Sequence, residues 1–229
     1  MTKQIDHVAI FLAGDSTVAN CPPQEAPMAG WGQVFQQFFQ EGVLVVNKAK
    51  GGRSSNSFIE EGLLQEIIQQ IKPNDYLFVQ FGHNDQKPYG TEPVSTFPYY
   101  LSLYAEAARK KKAIPVFLTP VHRRHFDKQG NIVNTLGDYP LSMKVLAERL
   151  EVPLIDLWAK TKVLYESLGV EESKKLFVIF QPNEHLNYPS GIVDNTHFSE
   201  YGAKQVAQLV AEGIKELKLP LARYLVKND

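Results

Sequence analysis

The sequence holds a single cysteine, Cys21, in 229 residues, so no internal disulfide can staple the chain and its stability must come from a buried apolar core. Pro22 and Pro23 directly after Cys21 indicate a loop, and the thiol reads as a bystander rather than a nucleophile. Basic residues are not in excess: 24 Lys and Arg face 25 Asp and Glu, for a formal net charge of -1, and no run of like charges outlasts Arg109 to Lys112. That balance lacks the electrostatic footprint of a nucleic-acid binder. Long apolar runs are missing as well. His7 to Ala13 is too short for a membrane span, and with only Lys3 before it and Asp6 between, it lacks the basic flank of a secretion signal. No membrane partner is expected, and a cytoplasmic setting is. Repeats, low-complexity stretches and linkers are likewise wanting, which with 44% hydrophobic composition predicts one domain over residues 1-229.

What is there is an alternation of short apolar runs with helical spacing. Val8 to Leu12 is continuously apolar and is ended by Gly14-Asp15, as expected of a strand buried on both faces of a parallel sheet. Leu44 to Val46, Tyr76 to Phe81, Val116 to Leu118 and Leu154 to Leu157 repeat the pattern. Between them, Phe35, Phe38 and Phe39 recur at helical intervals, as do Leu63, Leu64, Ile67, Ile68 and Ile71 before Lys72-Pro73-Asn74-Asp75 stops the helix. A final amphipathic helix, roughly Tyr201 to Leu217, carries Val206, Leu209, Val210, Ile214 and Leu217 on one stripe. The class is α/β: a three-layer α/β/α sandwich with a central parallel sheet of about five strands. Two irregular stretches, Lys87 to Thr96 and Val121 to Tyr139, follow predicted strands and are expected to frame a site, because ligands in such sheets bind beyond the strands' carboxyl ends.

Four short motifs carry chemistry. Gly14-Asp15-Ser16 follows the first strand, which puts the Ser16 hydroxyl at a carboxyl end, although a Ser after Gly-Asp is also a common turn or cap residue. It is not a Gly-x-Ser-x-Gly elbow, since Val18 holds the second glycine's place. Asp194-Asn195-Thr196-His197 comes about 180 residues later, in a stretch read as irregular before the last helix. One tight turn there brings the carboxylate to Nδ1 of the imidazole and leaves Nε2 for a serine proton; a lone Asp-x-x-His is equally a turn and a structural histidine. Gly82-His83-Asn84-Asp85 offers a side-chain amide to a developing oxyanion, and Gly51-Gly52 allows close approach of a backbone N–H. Together they supply nucleophile, base, orienting acid and oxyanion donors, the inventory acyl transfer needs.

In order and spacing, Gly14-Asp15-Ser16, Gly52, Gly82-x-Asn84-Asp85 and Asp194-x-x-His197 resemble the four blocks of the SGNH (GDSL-type) hydrolases, whose fold is flavodoxin-like. Gly30-Trp31-Gly32, Gly52-Arg53-Ser54, Thr119-Pro120-Val121 and Asn195-Thr196-His197-Phe198 narrow the likeness to the rhamnogalacturonan acetylesterase branch, and the match runs from Gly14 to about Ala203. The resemblance implies a serine esterase that removes O-acetyl groups from an acetylated oligosaccharide through an acetyl-enzyme on Ser16, with His197 as base and Asp194 orienting it. It implies an oxyanion hole from the Ser16 and Gly52 N–H groups and the Asn84 amide, and neither a metal nor an organic cofactor. A lipase or thioesterase of the same superfamily, or a carbohydrate-binding protein that keeps the fold without turnover, are the alternatives. The oligomeric state is not legible.

Other residues admit two readings. His122, His125 and Asp127 are too few for a zinc site, and sugar contact or a solvated loop accounts for them better. Arg123 and Arg124 suit uronate carboxylates, which a guanidinium grips bidentately, or surface ion pairs; Arg53 has the same two readings. His83 is expected to be structural, bonding backbone and steadying Asn84. Trp31, Tyr99, Tyr100 and Tyr104 are expected in the core or at its rim.

Overall fold

The structure is a computed structural model that describes residues 8–226; His7, where the first apolar run begins, lies outside them. Strands β1 (Val8–Gly14), β2 (Val43–Asn47), β3 (Tyr76–Gln80), β4 (Ile114–Leu118) and β5 (Leu154–Ile155) form one parallel sheet in the order β2-β1-β3-β4-β5. All five expected strands are present. The last is shorter than its apolar run because Asp156 accepts a hydrogen bond from the Ala159 N–H and starts a helix at Leu157.

Among the described residues, seven α-helices accompany the strands: α1 (Trp31–Val34), α2 (Ser55–Glu60), α3 (Leu63–Gln70), α4 (Thr96–Lys110), α5 (Tyr139–Arg149), α6 (Leu157–Glu172) and α7 (Glu200–Glu216). Successive strand residues point to opposite faces. Ile10, Leu12, Phe78 and Val116 pack against Trp31, Tyr165, Val206 and Val210 of α1, α6 and α7. Phe11, Leu77, Val79 and Phe117 meet Phe58, Ile67, Leu101 and Met143 of α2 to α5 on the other side. The result is the expected three-layer sandwich. The Phe35, Phe38 and Phe39 repeat becomes a short 3-10 turn after α1 rather than a long helix, with the Phe35 ring edge-on to Trp31 at 5.1 Å.

A second, two-stranded antiparallel ribbon joins β6 (Phe177–Phe180) to β7 (Ile192–Phe198), with an irregular register between Phe177 and Ile179. Asp194 and His197, expected in an irregular stretch, lie on β7. Asp and Asn are depleted in strands, and the register break obscures the period of two, so the sequence does not advertise this strand. The ribbon is tied to the loop after β1. Phe198 O accepts from Ala29 N at 3.0 Å, and the Asn187 amide donates to the carbonyls of Pro23 and Ala26 at 3.1 and 2.8 Å.

Helix α7 leaves the ribbon through Ser199, whose hydroxyl accepts from Gly202 N at 3.1 Å and donates to Lys175 O at 2.7 Å. Gly202 is buried so tightly that a Cβ there would sit 1.8 Å from Leu176 O. Gly202→Ala therefore forces backbone apart where the ribbon meets the helix, and should destabilise the protein by about 1–3 kcal/mol. An unchanged urea-denaturation midpoint in that variant would contradict this packing.

Candidate active site

In the order β2-β1-β3-β4-β5, the chain runs outward from β1 to β2 and then returns past β1 to β3. The loops leaving β1 and β3 part at that switch point, and a crevice opens beyond their carboxyl ends. Gly14-Asp15-Ser16 leaves β1, Gly51-Gly52 follows β2, and Gly82-His83-Asn84 leaves β3, so topology alone converges the first three motifs. The ribbon brings the fourth from 181 residues away: Ser16 Oγ lies 2.9 Å from His197 Nε2. His197 Nδ1 is in turn 2.6 Å from Asp194 Oδ2.

A carboxylate can only accept, so the Nδ1 contact places the ring hydrogen there and leaves the Nε2 lone pair facing the serine hydroxyl. Asp194 is itself fixed, its Oδ1 accepting from Thr196 N at 2.8 Å and His197 N at 2.9 Å. The hydrogen bond that His197 donates to Asp194, opposed by burial, raises the His197 pKa above that of an ordinary imidazole. Burial pushes Asp194 up, but the bonds from His197 and Thr196 prevail and hold its carboxyl below the usual range.

Gly52 has φ of 79°, a left-handed conformation that glycine adopts without strain. No acceptor among the described residues takes the backbone N–H of Ser16 or of Gly52. The buried Asn84 amide donates to Arg53 O at 3.1 Å, which fixes its roll and leaves its second hydrogen for another acceptor. A cleft of about 780 Å³ has Ser16, Gly52, Asn84, Asp194 and His197 in its wall. A serine hydroxyl, an imidazole, a carboxylate and three N–H donors thus share one opening.

Beneath Ser16 runs a buried polar chain. Trp31 Nε1 donates to Gln80 Oε1 at 2.9 Å, Gln80 Nε2 to Thr17 Oγ1 at 2.7 Å, and Thr17 Oγ1 to Asp15 Oδ1 at 2.7 Å. The other Asp15 oxygen is 3.4 Å from His83 Nδ1, close enough for attraction but misaligned for a hydrogen bond. Burial raises Asp15, yet His83 and Thr17 hold it below the ordinary carboxylate value. Asp85 ties the next two loops together, accepting from Ser55 N, Ser55 Oγ and Thr91 Oγ1 at 3.0, 2.5 and 2.9 Å. Sequence reasoning missed Gln80, although a lone polar residue inside the run Tyr76 to Phe81 was the available sign.

Other expectations come out differently. Arg53 is not in the wall of the cleft and pairs with Glu61 at 3.0 Å, as in the ion-pair reading. His122 is 1% exposed and stacked on Trp158 at 4.9 Å, out of reach of a sugar, and burial pushes its imidazole down to about 4. His125 is exposed, while Asp127 caps its own turn through Gln129 N and Asn131 N. Arg124 binds Asn195 Oδ1 at 2.9 Å and Ser173 Oγ at 3.1 Å, bracing the ribbon. Arg123 does line the cleft. His83 faces Asp15 rather than backbone, and Trp31 and Tyr104 are core while Tyr99 is exposed. Cys21 also borders the cleft, but burial raises its thiol pKa and keeps it from the thiolate form.

A three-layer α/β/α sandwich with a Ser–His–Asp relay at the switch point of its sheet defines the class of serine acyl hydrolases. The profile of the GDSL-like lipase/acylhydrolase family matches residues 10–210, and the chain belongs to that family; it is a carboxylic ester hydrolase. It is 66% identical over 222 residues, 97% of this chain and 96% of the relative, to the rhamnogalacturonan acetylesterase RhgT of Bacillus subtilis. The rhamnogalacturonan acetylesterase of Emericella nidulans is 26% identical over 243 residues, covering 96% of this chain and 90% of that one. Among solved structures, the Bacillus subtilis protein YxiM superposes with a TM-score of 0.81 at 28% identity, over 93% of this chain and 58% of that chain.

The Asp194 contact makes a spectroscopic prediction. The His197 ring in an NMR titration should have a midpoint above the usual value of about 6.5, and Asp194→Asn should lower it. A wild-type midpoint at or below that value contradicts the geometry.

Proposed function

We propose that the protein removes O-acetyl groups from rhamnogalacturonan oligosaccharides through an acetyl-enzyme on Ser16. The relay of 2.9 and 2.6 Å contacts from Ser16 through His197 to Asp194 carries this reading. The Ser16 hydroxyl passes its proton to His197 Nε2 as Oγ attacks the acetyl carbonyl, and Asp194 stabilises the imidazolium that forms. Charge on the carbonyl oxygen is taken up by the N–H groups of Ser16 and Gly52 and the free hydrogen of the Asn84 amide. As the intermediate collapses, His197 returns the proton to the departing sugar oxygen. A water molecule then gives its proton to His197 and adds to the acetyl-enzyme, releasing acetate and restoring Ser16.

The acyl group and the alcohol rest on the name and 66% identity of the Bacillus subtilis relative. The cleft supports it: about 780 Å³ and an open, mixed polar lining suit a carbohydrate better than a long acyl chain. Rates should fall steeply from acetate to octanoate esters, and a preference for long chains would mark a lipase instead.

Purified protein should release acetate from acetylated rhamnogalacturonan, and Ser16→Ala should lower kcat by at least about three orders of magnitude. Asn84→Ala should cost about 10²- to 10³-fold. Since only neutral His197 accepts the proton, kcat/KM should decline as pH falls through its raised pKa, and Asp194→Asn should move that acid limb to lower pH. Acetate release that survives Ser16→Ala intact would end the proposal.

A further inference from the structure

We infer that Arg123, with Lys87, forms a carboxylate-binding subsite on the wall of the cleft nearest the ends of β3 and β4, and that it takes a uronate of the substrate chain beside the acetylated sugar. The inference rests on the rhamnogalacturonan reading above and adds to it the group that fixes which way the chain lies.

Arg123 is a half-buried guanidinium on the cleft wall with no carboxylate within 4.0 Å among the described residues. Its Nη1 donates to Gln86 Oε1 at 3.1 Å, to Thr135 O at 3.3 Å and to Thr135 Oγ1 at 3.2 Å, all neutral acceptors. Nε and Nη2 meet no acceptor among the described residues, so one edge of a five-hydrogen fork is held in place and another stays open. Burial depresses its pKa and the Asp15 charge opposes this, but Asp15 is buried and its Oδ1 is engaged by Thr17. A cation partly stripped of water and aimed into a groove gains from an incoming anion, and the planar fork fits a carboxylate in two-point contact. Arg53, by contrast, is already paired with Glu61.

Lys87 borders the same cleft, one residue beyond the Gln86 that holds Arg123. Its backbone is set by a turn on Asn84, with Lys87 N donating to Asn84 O at 3.1 Å, so a cation stands three positions past the amide that faces the acyl carbonyl. Lys87 is exposed and has no carboxylate within 4.0 Å among the described residues. Glu25 also lines the cleft, its backbone carbonyl accepting the Tyr188 hydroxyl at 2.7 Å, while the Asp194 charge is engaged by His197. Two cations in the cleft's lining favour a substrate that presents its carboxylate to them. With a net charge of -1 the chain has no general attraction for acidic polymers, so the preference is local to this wall.

Kinetics on two matched substrates test the assignment: acetylated rhamnogalacturonan oligosaccharides, and the same material with its uronate carboxyls reduced to alcohols. Arg123→Gln and Lys87→Gln should each raise KM for the acidic substrate about 10- to 100-fold more than for the reduced one, with Arg123→Lys between them and the wild type. Added salt should raise KM for the acidic substrate alone. Parallel changes on both substrates would show that Arg123 only pins its loop to Gln86, and would overturn the subsite. A second measurement is independent of the natural substrate: oligogalacturonate should inhibit 4-nitrophenyl acetate hydrolysis competitively, and the Lys87→Gln variant, altered only on an exposed loop, should need more of it. Inhibition that is absent, or equal in wild type and variants, sinks the subsite while leaving the acetylesterase reading intact. Failure to deacetylate rhamnogalacturonan, with inhibition still dependent on Arg123 and Lys87, sinks the substrate instead.

Discussion

The 2.6 Å contact between Asp194 and His197 decides which imidazole nitrogen carries hydrogen, and the proton traffic at Ser16 has no direction without it. Much of the surrounding structure exists to keep that ring where it is. The carboxylate is clamped by the N–H groups of Thr196 and His197, the ribbon is braced from behind by Arg124, and its tip is moored to the loop after β1 through Asn187 and Tyr188. The Gly202 contact with Leu176 then locks α7 against the segment that leads into the ribbon. Each attachment is modest alone, and jointly they hold a base to a nucleophile from the other end of the chain.

The loops from the main sheet are cross-braced in the same manner. Asp85 holds Ser55, Asn84 holds the Arg53 carbonyl, and the Trp31, Gln80, Thr17 and Asp15 chain supports the turn that carries Ser16. These are buried polar contacts with low exposure to competing water, which makes them stiff and makes partial removal costly. Electrostatic stabilisation of an oxyanion depends on donors already in position before charge develops, and such bracing supplies that preorganisation.

The sheet was legible because both of its faces are buried, so its strands read as unbroken apolar runs, and because the helices between them carry single stripes. Ser16, Gly52, Asn84, Asp194 and His197 were legible because each sits in a short local motif. The structure puts these five around one cleft. The ribbon was not legible: its second strand is spelled with Asp, Asn and a register break. Side-chain direction was also beyond reach. Arg53 and Arg123 lie in comparable loops after parallel strands, yet one meets Glu61 and the other the cleft, a difference set by partners distant in the chain or across a helix. His122 looked like a loop residue available to sugar because nothing nearby in sequence announces that Trp158 covers it.

Ser16, Gly52 and Asn84 ride on loops of a five-stranded parallel sheet packed on both faces, whereas Asp194 and His197 ride on a separate two-stranded ribbon. Isolated two-stranded hairpins are marginal, and what steadies this one is its base, where Phe177, Val178 and Phe198 are buried in the core, together with polar contacts at its tip. The Ser16–His197 contact therefore depends on the ribbon staying seated on the sandwich as well as on the sandwich itself. The apolar base and the polar tip of the hairpin together keep the two halves of the site in register.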